Sequence, residues 1–384
     1  MWKLAKDQRA ILHSSLALLL LGLAGWALLR EPDGSGDKAA SLSRADLPIR
    51  VDPTVELFSV IYRLADIGQY TEMELPGYVE EVERYFGSFR DHASVQVARE
   101  LDQSHAINGN APMDLAVRLT APPDLELRTP LAEALGDMDR RWDDAIVPVL
   151  LEAARTFAAD TDFMTFFRGN EATYGSAVQS LQATLSQTDM LPWFQEFFGG
   201  EPESYVVILG LLNGSCNYGS RVTHPDGTVE FFSMLGAVDP DRNGIPRYAR
   251  SRFVPTIVHE FSHSYINPLV DRHVEELQPS GEVVFAYLKE AMHHWGYDHW
   301  YVMDYEYLVR AATVRYLQAS EGTGAAERAV RRDEEDGFVG LGELAGLLAD
   351  YEAHRDRYPK LDAFMPRLVE FFEGLAKAMG GEML

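Results

Sequence analysis

The sequence predicts a mostly helical α+β fold. Three observations predict it. Residues 51–198 repeatedly place apolar side chains at helical spacing. Residues 205–212 and 228–235 are short runs rich in β-branched and aromatic residues, the pattern of strands. From residue 254 the chain returns to helix in VPTIVHEFSHSYINP, which carries two histidines four positions apart.

The 384 residues are 46% hydrophobic and 24% charged, with a formal net charge of −25. That balance suits a globular protein and argues against nucleic acid or an anionic membrane surface as partner. Cys216 is the one cysteine, so neither an intrachain disulfide nor a cysteine-rich zinc site can form. Lys3, Lys6 and Arg9 precede an uncharged run over residues 11–29. This is the pattern of a signal peptide or signal anchor over residues 1–30. Its basic start would leave the rest of the chain outside the cytoplasm, periplasmic or at the cell surface. The chain would be held to the inner membrane by the N-terminal helix, or secreted if that helix is cleaved. Residues 31–46, rich in Gly, Ser and Asp, read as a linker. A mostly helical region over 47–200 and a core with C-terminal helices over 201–384 complete the expected organisation.

Asp52-Pro53 reads as an N-cap followed by proline in the first turn, before Leu57, Val60, Ile61 and Leu64 at helical spacing. Further helical patterns cover 77–86, 93–101, 143–158 and 175–185. MDLAVRLT, from Met113, suits a strand or a short helix. Residues 213–219 read as a turn between the two strands, and 239–244 as a loop. An edge strand beside a site could hold an extended peptide by main-chain pairing, or the sheet could simply cover a helix. Pro255 suits a first helical turn, and Pro268 is expected to end or bend the helix, with Asn267 biased away from it. The charged run RRDEED from Arg331 reads as a solvated loop. Amphipathic helices follow at about 341–351 and 361–379.

His259-Glu260-Phe261-Ser262-His263 spells H-E-x-x-H. On a helix both imidazoles face one way and can bind one zinc ion, and Glu260 can act as general base. A catalytic zinc needs a third protein ligand. His273, Glu275, Glu276, His293, His294, His299 and Glu306 all follow. Glu306 is the preferred candidate. It sits in a long apolar helix, between Tyr305 and Tyr307, where an unpaired carboxylate is costly. A plain helical ion pair with Arg310 would also satisfy it. A third histidine six residues after His263 is absent, because position 269 is Leu269.

Residues 217–219 (NYG), TVEFFSML, VHEFSHSYINPL and YEYLVRAA together resemble a bacterial family of zincin-like domains known as domain of unknown function 4932. The resemblance extends from VDPTVELFSVIYRLA, at Val51, to YPKLDAFMPRLVEFF near the end. It implies a zincin-like, gluzincin-type metallopeptidase core with a small sheet next to the H-E-x-x-H helix. It also implies His259, His263 and Glu306 as zinc ligands and Glu260 as the catalytic glutamate. Tyr218, Tyr265, Tyr297, His299 and Arg310 are candidates by residue type for substrate or oxyanion contact. Asn213 and Asn217 could bind substrate backbone or simply shape the turn.

The expected activity is zinc-dependent hydrolysis of a peptide or protein substrate outside the cytoplasm. The alternative is a catalytically silent envelope binding or scaffold module with the same fold. An amidase acting on cell-wall peptide would share the metal chemistry.

Overall fold

The structure, a computed structural model, describes residues 47–381 apart from residues 73, 74, 201, 203 and 238. The expected signal segment and linker lie outside the described residues. Among the described residues, no helix is long and apolar enough to cross a membrane. The chain forms two compact units. One contains the described residues up to Asp189 together with Pro202–Ile257, and the other contains Met190–Glu201 and Val258–Leu384. This differs from a single cut near residue 200. The strands group with the N-terminal helices because the first strand, at residue 49, pairs with the strand beginning at 204.

In the first unit the helices are α1 (Pro53–Leu64), α2 (Pro76–Phe86), α3 (Ala93–His105), α4 (Asn110–Ala116), α5 (Leu131–Ala134), α6 (Ile146–Asp160), α7 (Phe163–Gly169) and α8 (Glu171–Leu185). Helix α1 starts as its sequence demands. The Asp52 carboxylate accepts from the Thr54 and Val55 amides at 3.0 and 3.4 Å, and Pro53 fills the first turn. Every later residue of α1 is buried, so it is the core helix of this unit. MDLAVRLT falls mainly on α4.

The sheet has four strands, β1 (Ile49–Arg50), β2 (Ser204–Gly210), β3 (Asn217–Thr223) and β4 (Val229–Gly236), in the order β1-β2-β4-β3. Strands β1, β2 and β4 are parallel, with Val206 opposite Phe232. Strand β3 runs antiparallel to β4, with Tyr218 opposite Met234. Residues 205–210 of β2 are all buried, as expected of an inner strand covered on both faces. Residues 217–219, expected in a turn, instead open β3. Asn217 and Gly219 have little strand propensity, and pairing along β4 supplies the structure there.

The second unit contains α9 (Leu191–Phe198), α10 (Arg250–Arg272) from Val258 onward, α11 (Val274–His294), α12 (Trp300–Glu321), α13 (Thr323–Glu335), α14 (Leu341–Ala353) and α15 (Met365–Gly381). Helix α12 is its core, with thirteen buried residues.

Two expectations are corrected here. Pro255 and Pro268 both lie inside α10, which continues to Arg272. Each interior proline costs about 3 kcal/mol. Val254, Ile257, Val258, Phe261, Ile266 and Val270 are fully buried, and burying a large apolar side chain yields about 1.5–3 kcal/mol. Packing therefore outweighs the local penalty. The run RRDEED is not a loop for most of its length. Arg331 to Glu335 form the last turn of α13, and Asp333 is only 3% exposed.

Helices α11 and α12 meet at Gly281. A Cβ there would lie 2.5 Å from the Trp300 ring and 3.0 Å from Asp304. Alanine gains up to about 1 kcal/mol of helix propensity, but overpacking a rigid ring costs about 1–3 kcal/mol. Gly281→Ala is expected to lower the melting temperature by a few degrees. An unchanged or raised value would show that the two helices separate freely.

Candidate metal centre

Helix α10 buries Val258, Phe261, Ser262 and Ile266, all fully inaccessible. The ring of Phe261 meets Phe194 of α9 edge-on, with centroids 5.9 Å apart. This fixes the roll of the helix and leaves His259 and His263 together on another face, four residues apart. Their Nε2 atoms lie 3.2 Å apart. The Nδ1 of His263 is 3.0 Å from Asn267 Oδ1, one turn further on. That contact lets Nδ1–H donate to the amide oxygen, which would leave Nε2 as the coordinating nitrogen once a metal is bound.

Helix α12 supplies Glu306, 6% exposed. Its Oε1 is 3.4 Å from His263 Nε2, and its Oε2 is 3.7 Å from His259 Nε2. Among the described residues these three form the one cluster with metal-ligating geometry. Bond lengths of 2.0–2.1 Å around a tetrahedral ion would set ligand atoms about 3.3 Å apart. The 3.2 Å between the two Nε2 atoms and the 3.4 Å from His263 Nε2 to Glu306 Oε1 fit that spacing, and with one donor atom taken from each residue the three lie within 4.8 Å of one another. Two imidazole nitrogens and one carboxylate are also a donor set suited to zinc.

The electrostatics of the three groups differ. Burial pushes the His259 imidazole down to about 3, against the pull of Glu306, so it stays neutral. Burial also opposes a charged His263, but the Glu306 carboxylate outweighs it and raises this group. Burial alone would raise Glu306, yet the histidines and Arg310 hold it well below the usual carboxylate range. Glu260 is 7% exposed and close enough for its charge to favour protonated His263.

Glu306 and Arg310 are also paired, with Nε donating to Oε2 at 3.2 Å. The two readings of Glu306 from the sequence are therefore compatible. The guanidinium of Arg310 turns toward Glu306, Asp333 and Tyr297. The remaining candidates make other contacts. Tyr265 stacks on Phe198 at 4.2 Å, and its hydroxyl donates to the Gly200 carbonyl. His299 is exposed and stacks on Tyr301. Tyr218 sits in β3, in the first unit. Asn213 is fully buried, where its amide oxygen accepts from Ser59, and Asn217 accepts from the Gly236 amide. Both asparagines serve the local fold. His273 pairs with Glu276 and Asp362, and His293 with Asp298.

Sequence reasoning missed the contribution of Asn267 and Asp333. The first had a signal, since it stands four residues after His263. The second had none, because a run of mixed charges resembles any solvated surface.

Fold and cluster together define a mostly helical α+β protein in which two half-buried histidines and one buried carboxylate converge. The chain belongs to the family described as domain of unknown function (DUF4932), whose profile matches residues 47–371. The resemblance carried by the motifs thus holds at the level of the family. No curated protein and no solved structure matches the chain.

Proposed function

We propose that this chain is a zinc-dependent peptidase acting outside the cytoplasm. The observation that carries the reading is the convergence of His259, His263 and Glu306 within 3.2–3.7 Å, with Glu260 on the same helix. A zinc ion held by these three would polarise the scissile carbonyl and lower the pKa of an attacking water. Glu260 takes the proton from that water and later delivers it to the leaving amine. Asn267 keeps His263 in the tautomer that offers Nε2. The basic, apolar N-terminal segment supports delivery across a membrane.

Metal analysis of the purified full chain, together with cleavage of a fluorogenic peptide library, tests this. Stoichiometric zinc is expected, with hydrolysis lost on chelation and restored by zinc. A chain that neither contains zinc nor takes it up would favour the silent scaffold instead.

A further inference from the structure

The carboxylate of Glu306 is held on its far side as well. Arg310 donates from Nε to Oε2, while Oε1 faces His263. A simple ion pair one turn apart on an exposed helix would end there and leave the guanidinium in water. In this chain the Arg310 side chain is only 14% exposed and is gripped on every side. Its Nη1 donates to Asp333 of α13 at 3.3 Å. Its Nη2 donates to the Tyr297 hydroxyl at 3.4 Å. Its plane lies 4.2 Å from the centre of the Phe338 ring. Asp333 is fixed from the solvent side by Arg332 at 2.9 Å. A planar fork with several donors can be locked in this way, whereas a lysine ammonium cannot.

We infer that Arg310, anchored by Asp333 and Tyr297, is a positioning residue that engages one oxygen of Glu306 and presents the other alone to a divalent cation held by His259 and His263. The inference rests on the reading of this cluster as a metal site. A carboxylate with both oxygens free can chelate through both and fill a coordination position that catalysis leaves open. The last turn of α13 thereby becomes part of the metal centre.

Cobalt(II) substitution on the full chain tests this, with zinc affinity measured by competition against a chromogenic chelator. The variants are Asp333→Asn, Arg310→Lys and Arg310→Met, with Glu306→Ala as the ligand-loss control. Asp333→Asn and Arg310→Lys are expected to lower zinc affinity by about 10–100-fold. They are also expected to weaken the visible cobalt bands, as coordination rises when both oxygens bind. Melting of the metal-free variants reports separately on the fold. If Arg310→Met does not fold, Asp333→Asn decides the question. Variants with wild-type affinity and a superimposable cobalt spectrum would overturn the positioning role while leaving the metal site intact. An unmutated chain that binds neither ion would overturn the site itself, and the positioning role with it.

Discussion

Glu260→Gln is expected to keep the bound metal and to lower peptide hydrolysis by about 10²–10⁴-fold. Glutamine preserves the shape and one acceptor oxygen of the side chain but cannot take up a proton at neutral pH. Glu260 is nearly buried on α10, between the two histidines in sequence, so an isosteric change leaves the packing of the helix as it is. It does remove a negative charge that acts on His263, so metal affinity should weaken modestly. Glu306→Ala should behave differently. It removes a donor 3.4 Å from His263 and should release the metal outright. Metal content and turnover measured side by side on the two variants separate a proton carrier from a ligand. Glu260→Gln turning over within a few-fold of the unmutated chain would rule out the general-base role.

The parts of this site that were legible in the sequence are those where chemistry and helical period coincide. His259 and His263 share a face because four residues make about one turn. Glu306 stands out because a carboxylate in an apolar helix demands a partner. Local rules misled where packing overrides them. Pro268 reads as a terminator, which placed Asn267 outside the helix and hid its hydrogen bond to His263. RRDEED reads as solvated, yet Asp333 faces inward to Arg310 because that guanidinium, itself buried, needs a second anion. Strand β3 escaped notice because its signal lies in β4, the strand that pairs with it.

The other large effect concerns stability and arises in the first unit. Glu56 of α1 is fully buried. Its Oε2 accepts from the Tyr78 hydroxyl at 2.6 Å, and its Oε1 accepts from the Leu211 amide at 2.6 Å, just beyond β2. Tyr78 is in turn 2.9 Å from the Tyr174 hydroxyl of α8. One carboxyl group thus ties α1, α2, α8 and the end of β2 together. Burial pushes this carboxyl up from 4.5 to about 7, and the two donated hydrogen bonds only partly offset it. The folded state therefore binds a proton that the unfolded state has already released between those two values. The resulting stability is fully present below pH 4.5 and is lost as pH rises through about 7. At about 1.4 kcal/mol per pH unit the loss amounts to roughly 3 kcal/mol by pH 9. Glu56→Gln is uncharged at every pH and keeps an oxygen for the Leu211 amide. Tyr78 can then donate to Tyr174 and accept from the new amide. Urea unfolding of both chains at pH 5, 7 and 9 is expected to show the unmutated chain losing about 3 kcal/mol relative to the variant across that range. A difference between the two chains that does not change with pH would mean that Glu56 is already ionised in the folded protein. In that case the hydrogen bonds from Tyr78 and Leu211 would outweigh burial.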